Sequence, residues 1–133
     1  MCYCSSCRDF AEGFGSGDTL DPAGGADLFQ AATETIQITK GRDYLAWIKF
    51  TPNGPHRWHT TCCNTLMANT LGTRAIPFAT ILSHNIDDKE ALGPIIARVN
   101  RKYATGPFDG EAGNAGRVIR CYLWRALRSP ASG

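Results

Sequence analysis

Residues 44–63 read YLAWIKFTPNGPHRWHTTCC, and how this stretch folds decides the class of the whole chain. Short runs of aromatic and β-branched residues lie on both sides of TPNGPH, as a strand, a tight turn and a returning strand require. Asn53-Gly54 tolerates positive φ at little cost, and Pro52 and Pro55 cannot donate to a ladder, so the turn falls here. A β-hairpin is the expectation.

Upstream, DLFQAA (27–32) and ETIQITK (34–40) repeat this texture, and the turn signal KGRD (40–43) separates them from YLAWIKF (44–50). Downstream the chain returns through HRWHTTCC (56–63), TLMANT (65–70) and IPFATILSH (76–84), giving five or six short strands in all. The flanks differ. AEGFGSGDTLDPAGGADLF (11–29) holds five glycines and a proline and reads as loop. DDKEALGPIIARVNRKY (87–103) has acids at its start and bases at its end, which suits a helix and its dipole, with Pro94 as the start or a kink. ATGPFDGEAGNAG (104–116) is a second glycine-rich loop.

GRVIRCYLWRALRS (116–129) is the clearest helix. Val118, Ile119, Tyr122, Leu123, Ala126 and Leu127 share one arc that should dock, while Arg117, Arg120, Arg125 and Arg128 share the other. Cys121 and Trp124 fall among the arginines. Such a tryptophan either stacks on a base or a partner surface, or packs against a neighbouring arginine. The fold class expected is mainly β with C-terminal helices (α+β), a single domain over 1–133 with a β-rich core at 1–86 and a helical extension at 87–133.

A chain of 133 residues supports one core. Apolar residues make up 43% and charged residues 20%, near globular averages, which excludes wholesale disorder. No apolar run reaches the roughly 18–20 residues of a membrane span, and no secretion signal opens the chain, so a cytoplasmic protein with no membrane partner is expected. The net charge of +2 conceals an acidic first third and an arginine-rich end. That end reads foremost as one solvated helix face, which makes nucleic acid an unlikely partner.

Chemistry concentrates in MCYCSSCRDF (1–10), where Cys2, Cys4 and Cys7 form a Cys-x-Cys-x-x-Cys array. In the cytosol thiols stay reduced, and clustered cysteines then point to metal binding or catalysis. Three cysteines in six positions among polar neighbours make a poor core segment, whereas soft thiolates at this spacing suit Zn²⁺. Three thiolates leave a net −1 on the centre, which Arg8 could offset. The fourth ligand is Cys62, Cys63, water or a substrate thiolate. Cys62-Cys63 lies on an expected strand, so at most one of the pair faces the site, and His59 shares the parity of Cys63. His56 and His59 read first as ordinary polar residues near a turn.

CYCSSCRDF (2–10) resembles the cysteine motif of the glutathione-dependent formaldehyde-activating enzymes and their centromere protein V relatives, in which Cys-x-Cys-x-x-Cys-Arg follows an early strand. CCNTLMAN (62–69) resembles the later Cys-x-x-Cys-Gly-Thr stretch of that family, with Cys63-Asn64-Thr65 standing at Cys-Gly-Thr. The resemblance spans roughly residues 1–82. It implies a zinc-held β-tent with two zinc sites. Cys2, Cys4 and Cys7 match the catalytic type, with three sulfurs and an open position. Of the structural site only Cys63 remains, because the first cysteine of the later motif falls on Thr60 and the upstream pair has no counterpart; either the true start lies upstream of Met1 or packing replaces that zinc.

The activity implied is a zinc-dependent carbon–sulfur lyase acting on a small thiol or glutathione adduct, with His59 or His84 as proton carriers. The alternative is a non-catalytic zinc-stabilised binding module, closed by Cys63 or Cys62. The metal ligands expected are therefore Cys2, Cys4, Cys7 and Cys63.

Overall fold

The computed structural model describes residues 1–73, 75–107, 113 and 115–128, the side chains at 122, 125 and 126 excepted. In chain order the regular elements are α1 (Ser5–Gly13), β1 (Leu28–Ala32), β2 (Leu45–Ile48), β3 (His56–Thr60), β4 (Leu66–Thr70), β5 (Phe78–Leu82) and α2 (Ala115–Arg128). The strands form one five-stranded sheet in the order β1-β5-β4-β3-β2, antiparallel throughout. The described residues form a small domain with one sheet and two helices, one of them C-terminal.

The expected hairpin is β2 and β3, with Trp47 opposite Trp58 and Ala46 opposite His59. Its turn closes through Gly54 N–H to Thr51 C=O at 3.0 Å. Positive φ is not the reason for glycine there, since Gly54 lies outside the left-handed region. Space is: a Cβ at Gly54 would stand 2.6 Å from Thr51 Oγ1.

Helix α1 was not expected, because glycines from residue 13 onward mask a helical period in the residues before them. Cys7, Phe10 and Ala11 recur at three- and four-residue spacing and are all buried. Phe10 and Ala11 pack with Leu66 of β4 and Leu82 of β5, and Phe14, Leu20 and Leu28 close around them. Each large apolar side chain fully buried there contributes about 1.5–3 kcal/mol. The helix thus lies along the sheet, its N-terminal end beside Arg57 of β3 and its C-terminal end beside His59.

The following loop is ordered by one carboxylate. Asp21 accepts from the Tyr3 hydroxyl (2.8 Å) and from the amides of Ala23 (2.9 Å) and Gly25 (2.7 Å). Tyr3 is fully buried, and a Cβ at Gly25 would meet its ring at 2.5 Å. Residues 1–3 are then held from both sides: Cys2 and Ala26 exchange amide hydrogen bonds at 2.8 Å, Val99 N–H donates to Met1 C=O, and Tyr3 N–H donates to Val99 C=O. Residues 97–99 therefore pack on the N-terminal segment.

Further expectations need correction. ETIQITK (34–40) is not a strand; a 3₁₀ turn at Thr33–Thr35 leads into irregular, exposed backbone. The cause is topological, since residues 33–44 connect strands at opposite edges of the sheet and must cross about four inter-strand spacings, roughly 19 Å. HRWHTTCC stops as a strand at Thr60; Thr60 N–H pairs with Thr65 C=O, and Asn64 takes a left-handed φ of 53°. Cys62 and Cys63 are therefore on an exposed turn.

The helix expected over 87–103 is reduced to 3₁₀ turns at Lys89–Leu92 and Arg101–Tyr103. Gly93, at φ 72°, ends the first turn, and Pro94 brings no amide to continue it. Of the apolar arc expected in α2, Ile119, Leu123 and Leu127 are exposed, Leu127 by 84%, while Val118 is half-buried at the edge of a cavity. The guanidinium of Arg128 stacks 3.4 Å from the centre of the Trp124 ring. The side chains of Tyr122, Arg125 and Ala126, and residues 108–112 and 114 of the loop expected over 104–116, lie outside the described residues.

Candidate metal centre

The thiols of Cys2, Cys4 and Cys7 converge, with all three Sγ atoms within 4.8 Å of one another. Two elements bring them together. The short pairing with Ala26 and Val99 fixes Cys2, and the start of α1 fixes the other two. Cys4 is the N-cap, its Sγ accepting from the Cys7 amide at 3.4 Å where serine or aspartate usually serves.

Each sulfur accepts one N–H. Asn100 Nδ2 donates to Cys2 Sγ at 3.3 Å, the Cys7 amide to Cys4 Sγ, and Arg57 Nη1 to Cys7 Sγ at 3.5 Å. Cys2 Sγ and Cys4 Sγ are also in contact at 3.4 Å. Sulfurs around a tetrahedral Zn²⁺ with bonds of about 2.3 Å stand about 3.8 Å apart, so this spacing fits that ion with little movement. Donors on the ligating sulfurs are the usual outer shell of such a site.

The electrostatics agree. Hydrogen bonds from Cys4 and Cys7 hold the Cys2 thiol down to about 2, while the same contacts with Cys2 and Cys4, and then burial, push Cys7 far above the usual thiol range. One thiolate is well stabilised by its neighbours, but further ionisation puts like charges side by side. A soft cation among them removes that repulsion.

Arg57 was missed in the sequence, where Arg8 seemed the natural charge partner. Arg8 instead donates to the Tyr103 carbonyl at 3.1 Å in an exposed position. Arg57 is only 4% exposed, and its fork donates to Asn69 Oδ1 (3.0 Å) and Ser6 Oγ (2.6 Å) besides Cys7, with Phe10 beneath at 5.7 Å. Among the described residues no carboxylate pairs with it. A guanidinium buried this deeply without an acid needs another anion, and the sulfur cluster is the one at hand. Its Nε is buried without a partner. The available sequence signal was parity: Arg57 points to the face opposite Trp58, where the strand meets α1.

Cys2, Cys7 and Arg57 border a cavity of about 540 Å³ that also touches Asn69, Phe78 and Asn100. Cys121 of α2 borders the same space without joining the sulfur group. None of the histidines does so. His59 lies against Phe14, ring centres 4.5 Å apart; His56 against Trp47, at 4.4 Å; His84 lines a smaller cavity beside Leu20, and burial lowers its pKa.

Cys63 is not brought to the other three cysteines. Its Sγ lies 2.6 Å from Cys62 Sγ and 3.4 Å from Thr60 Oγ1, and the Thr65 hydroxyl donates to it at 3.7 Å. These contacts, the Cys62 thiol first, lower the Cys63 thiol to about 7.

The chain belongs to a family of unknown function, DUF6151, whose model matches residues 1–129. No curated protein and no solved structure matches it. Among the described residues no helix is long and apolar enough to cross a membrane.

Proposed function

We propose that the chain binds one zinc ion through Cys2, Cys4 and Cys7 and acts as a carbon–sulfur lyase on a small thiol adduct. What supports this reading most is that three sulfurs converge, each with its own N–H donor, and that two of them, those of Cys2 and Cys7, border a cavity large enough for such a ligand. Zinc, when bound, supplies a soft Lewis acid that favours the thiolate form of a sulfur held beside it. The rest belongs to the chain. Asn100, the Cys7 amide and Arg57 hold the ligating sulfurs in place, and the Arg57 charge offsets the net −1 of three thiolates. Asn69 fixes Arg57 and is itself anchored, its Nδ2 donating to Thr80 Oγ1 at 3.2 Å.

For an S-hydroxymethyl thiol the reaction breaks the carbon–sulfur bond and yields formaldehyde and a thiol. The hydroxyl proton leaves oxygen, and the sulfur gains one. Asp27 and Lys89 also border the cavity and are ionisable side chains within reach of a ligand there. The likeness of the two cysteine stretches to the formaldehyde-activating and centromere protein V-like family, with its zinc-held β-tent, supports the same reading.

A closed four-sulfur module with Cys63 has less support, because Cys63 sits at the β3–β4 turn with partners of its own. Two measurements on purified, zinc-supplemented protein test the proposal: metal per chain, and the decay rate of several thiol–formaldehyde adducts. One zinc per chain with faster decay is expected. A zinc-loaded chain that leaves every adduct unchanged would remove the lyase reading and leave a structural metal.

A further inference from the structure

The β3–β4 turn carries a second thiol site, separate from the trio. Cys62 and Cys63 are both exposed, and their Sγ atoms are 2.6 Å apart. Two hydroxyls, Thr60 Oγ1 and Thr65 Oγ1, lie on the Cys63 sulfur. The turn is pinned at its ends, by Thr60 with Thr65 and by Thr61 N–H to Tyr44 C=O at 2.8 Å. Between those pins the amides of Cys62 and Cys63 make no main-chain hydrogen bond among the described residues. The peptide joining them can therefore twist without breaking the ladder.

We infer that Cys62 and Cys63 form a reversible vicinal dithiol whose substrate class is hydroperoxides. The Cys63 sulfur attacks the peroxide, the O–O bond breaks, and Cys63 becomes a sulfenic acid as one molecule of water or alcohol leaves. Cys62, already in contact, then attacks that sulfur; the S–O bond breaks, the sulfenic oxygen leaves as water, and the two thiols have given up two electrons to the peroxide. Contact between the sulfurs makes the closing step intramolecular, so it outruns further oxidation at Cys63. The trio does not compete on equal terms, because Cys7 is buried and Cys2 and Cys4 are partly so.

Reversibility follows from chain geometry. Adjacent Cα atoms across a trans peptide are about 3.8 Å apart, below the roughly 4.4–6.8 Å that relaxed disulfides span, so the closed ring is strained and readily reduced. Neither cysteine belongs to the proposed zinc site, and the inference stands without it.

Trypsin cleavage after Arg57 and Arg74 releases residues 58–74, a peptide containing Cys62 and Cys63 and no other cysteine. The full chain is treated with an equimolar amount of hydrogen peroxide, alkylated, digested and weighed, with and without a later glutathione chase. The expected product is peptide 58–74 lighter by two hydrogens and unalkylated, returning to the doubly alkylated form after the chase. A peptide that stays dithiol, that ends as sulfinic or sulfonic acid, or that is cross-linked to another cysteine peptide overturns the inference.

Discussion

Replacing Arg57 by methionine separates the charge at the sulfur cluster from the packing around it. Methionine fills similar space beside Phe10, but it removes the donors to Cys7 Sγ, Asn69 Oδ1 and Ser6 Oγ. Asn69 is 8% exposed, so its orphaned carbonyl costs about 1–3 kcal/mol. In the metal-free chain this is partly offset, because a buried guanidinium with no carboxylate partner disappears as well. In the zinc-bound chain there is no such offset: the net −1 of three thiolates loses its counter-charge, and loss of an outer-shell partner weakens metal sites by about 10–100-fold. That is about 1.4–2.7 kcal/mol of binding free energy. Competition against a chromogenic zinc chelator measures it, with circular dichroism as the folding control. Arg57→Lys, which keeps the charge but not the fork, should fall between parent and Arg57→Met. The rise in melting temperature on adding zinc should shrink in Arg57→Met. A folded Arg57→Met chain with unchanged zinc affinity would refute the role given to this residue.

Other perturbations reach other parts of the structure. Cys4→Ser keeps a good N-cap, so α1 should persist by circular dichroism while bound zinc, counted by mass spectrometry, is lost. Gly25→Ala drives a methyl group into the Tyr3 ring and should cost about 1–3 kcal/mol in urea unfolding. Leu66→Ala opens the core beneath α1 and should cost about 2–5 kcal/mol by the same measurement. The Cys63 thiol is lowered to about 7, so its alkylation rate should reach half its maximum near that pH and fall below it as the thiolate is protonated. Cys62→Ala removes the main cause and should move the midpoint up toward the ordinary thiol value of about 8.5.

How much of this was legible in the sequence depended on whether the signal was local. The hairpin around TPNGPH was, because turn residues and alternation lie within twenty positions of each other. So was the trio, whose three cysteines lie within six positions of one another. The failures lie where distant segments decide. Nothing in ETIQITK says that it must cross the sheet, and its β-branched residues look like any strand. Gly93-Pro94 did mark the break in 87–103, but the pairing of residues 97–99 with residues 1–3 is a contact across nearly the whole chain. Arg57 carries no motif; its role comes from the way β3 is laid against α1. Strand parity allowed either Cys62 or Cys63 and the resemblance singled out Cys63, but the strand ends three residues before it and Asn64 turns left-handed.

Zinc-edge X-ray absorption on the zinc-loaded full chain tests the proposed open three-sulfur zinc site directly. Cys2, Cys4 and Cys7 predict three sulfur neighbours near ~2.3 Å and one nitrogen or oxygen near ~2.0–2.1 Å. Four sulfurs would contradict the open position, and a zinc without sulfur neighbours would contradict the site itself.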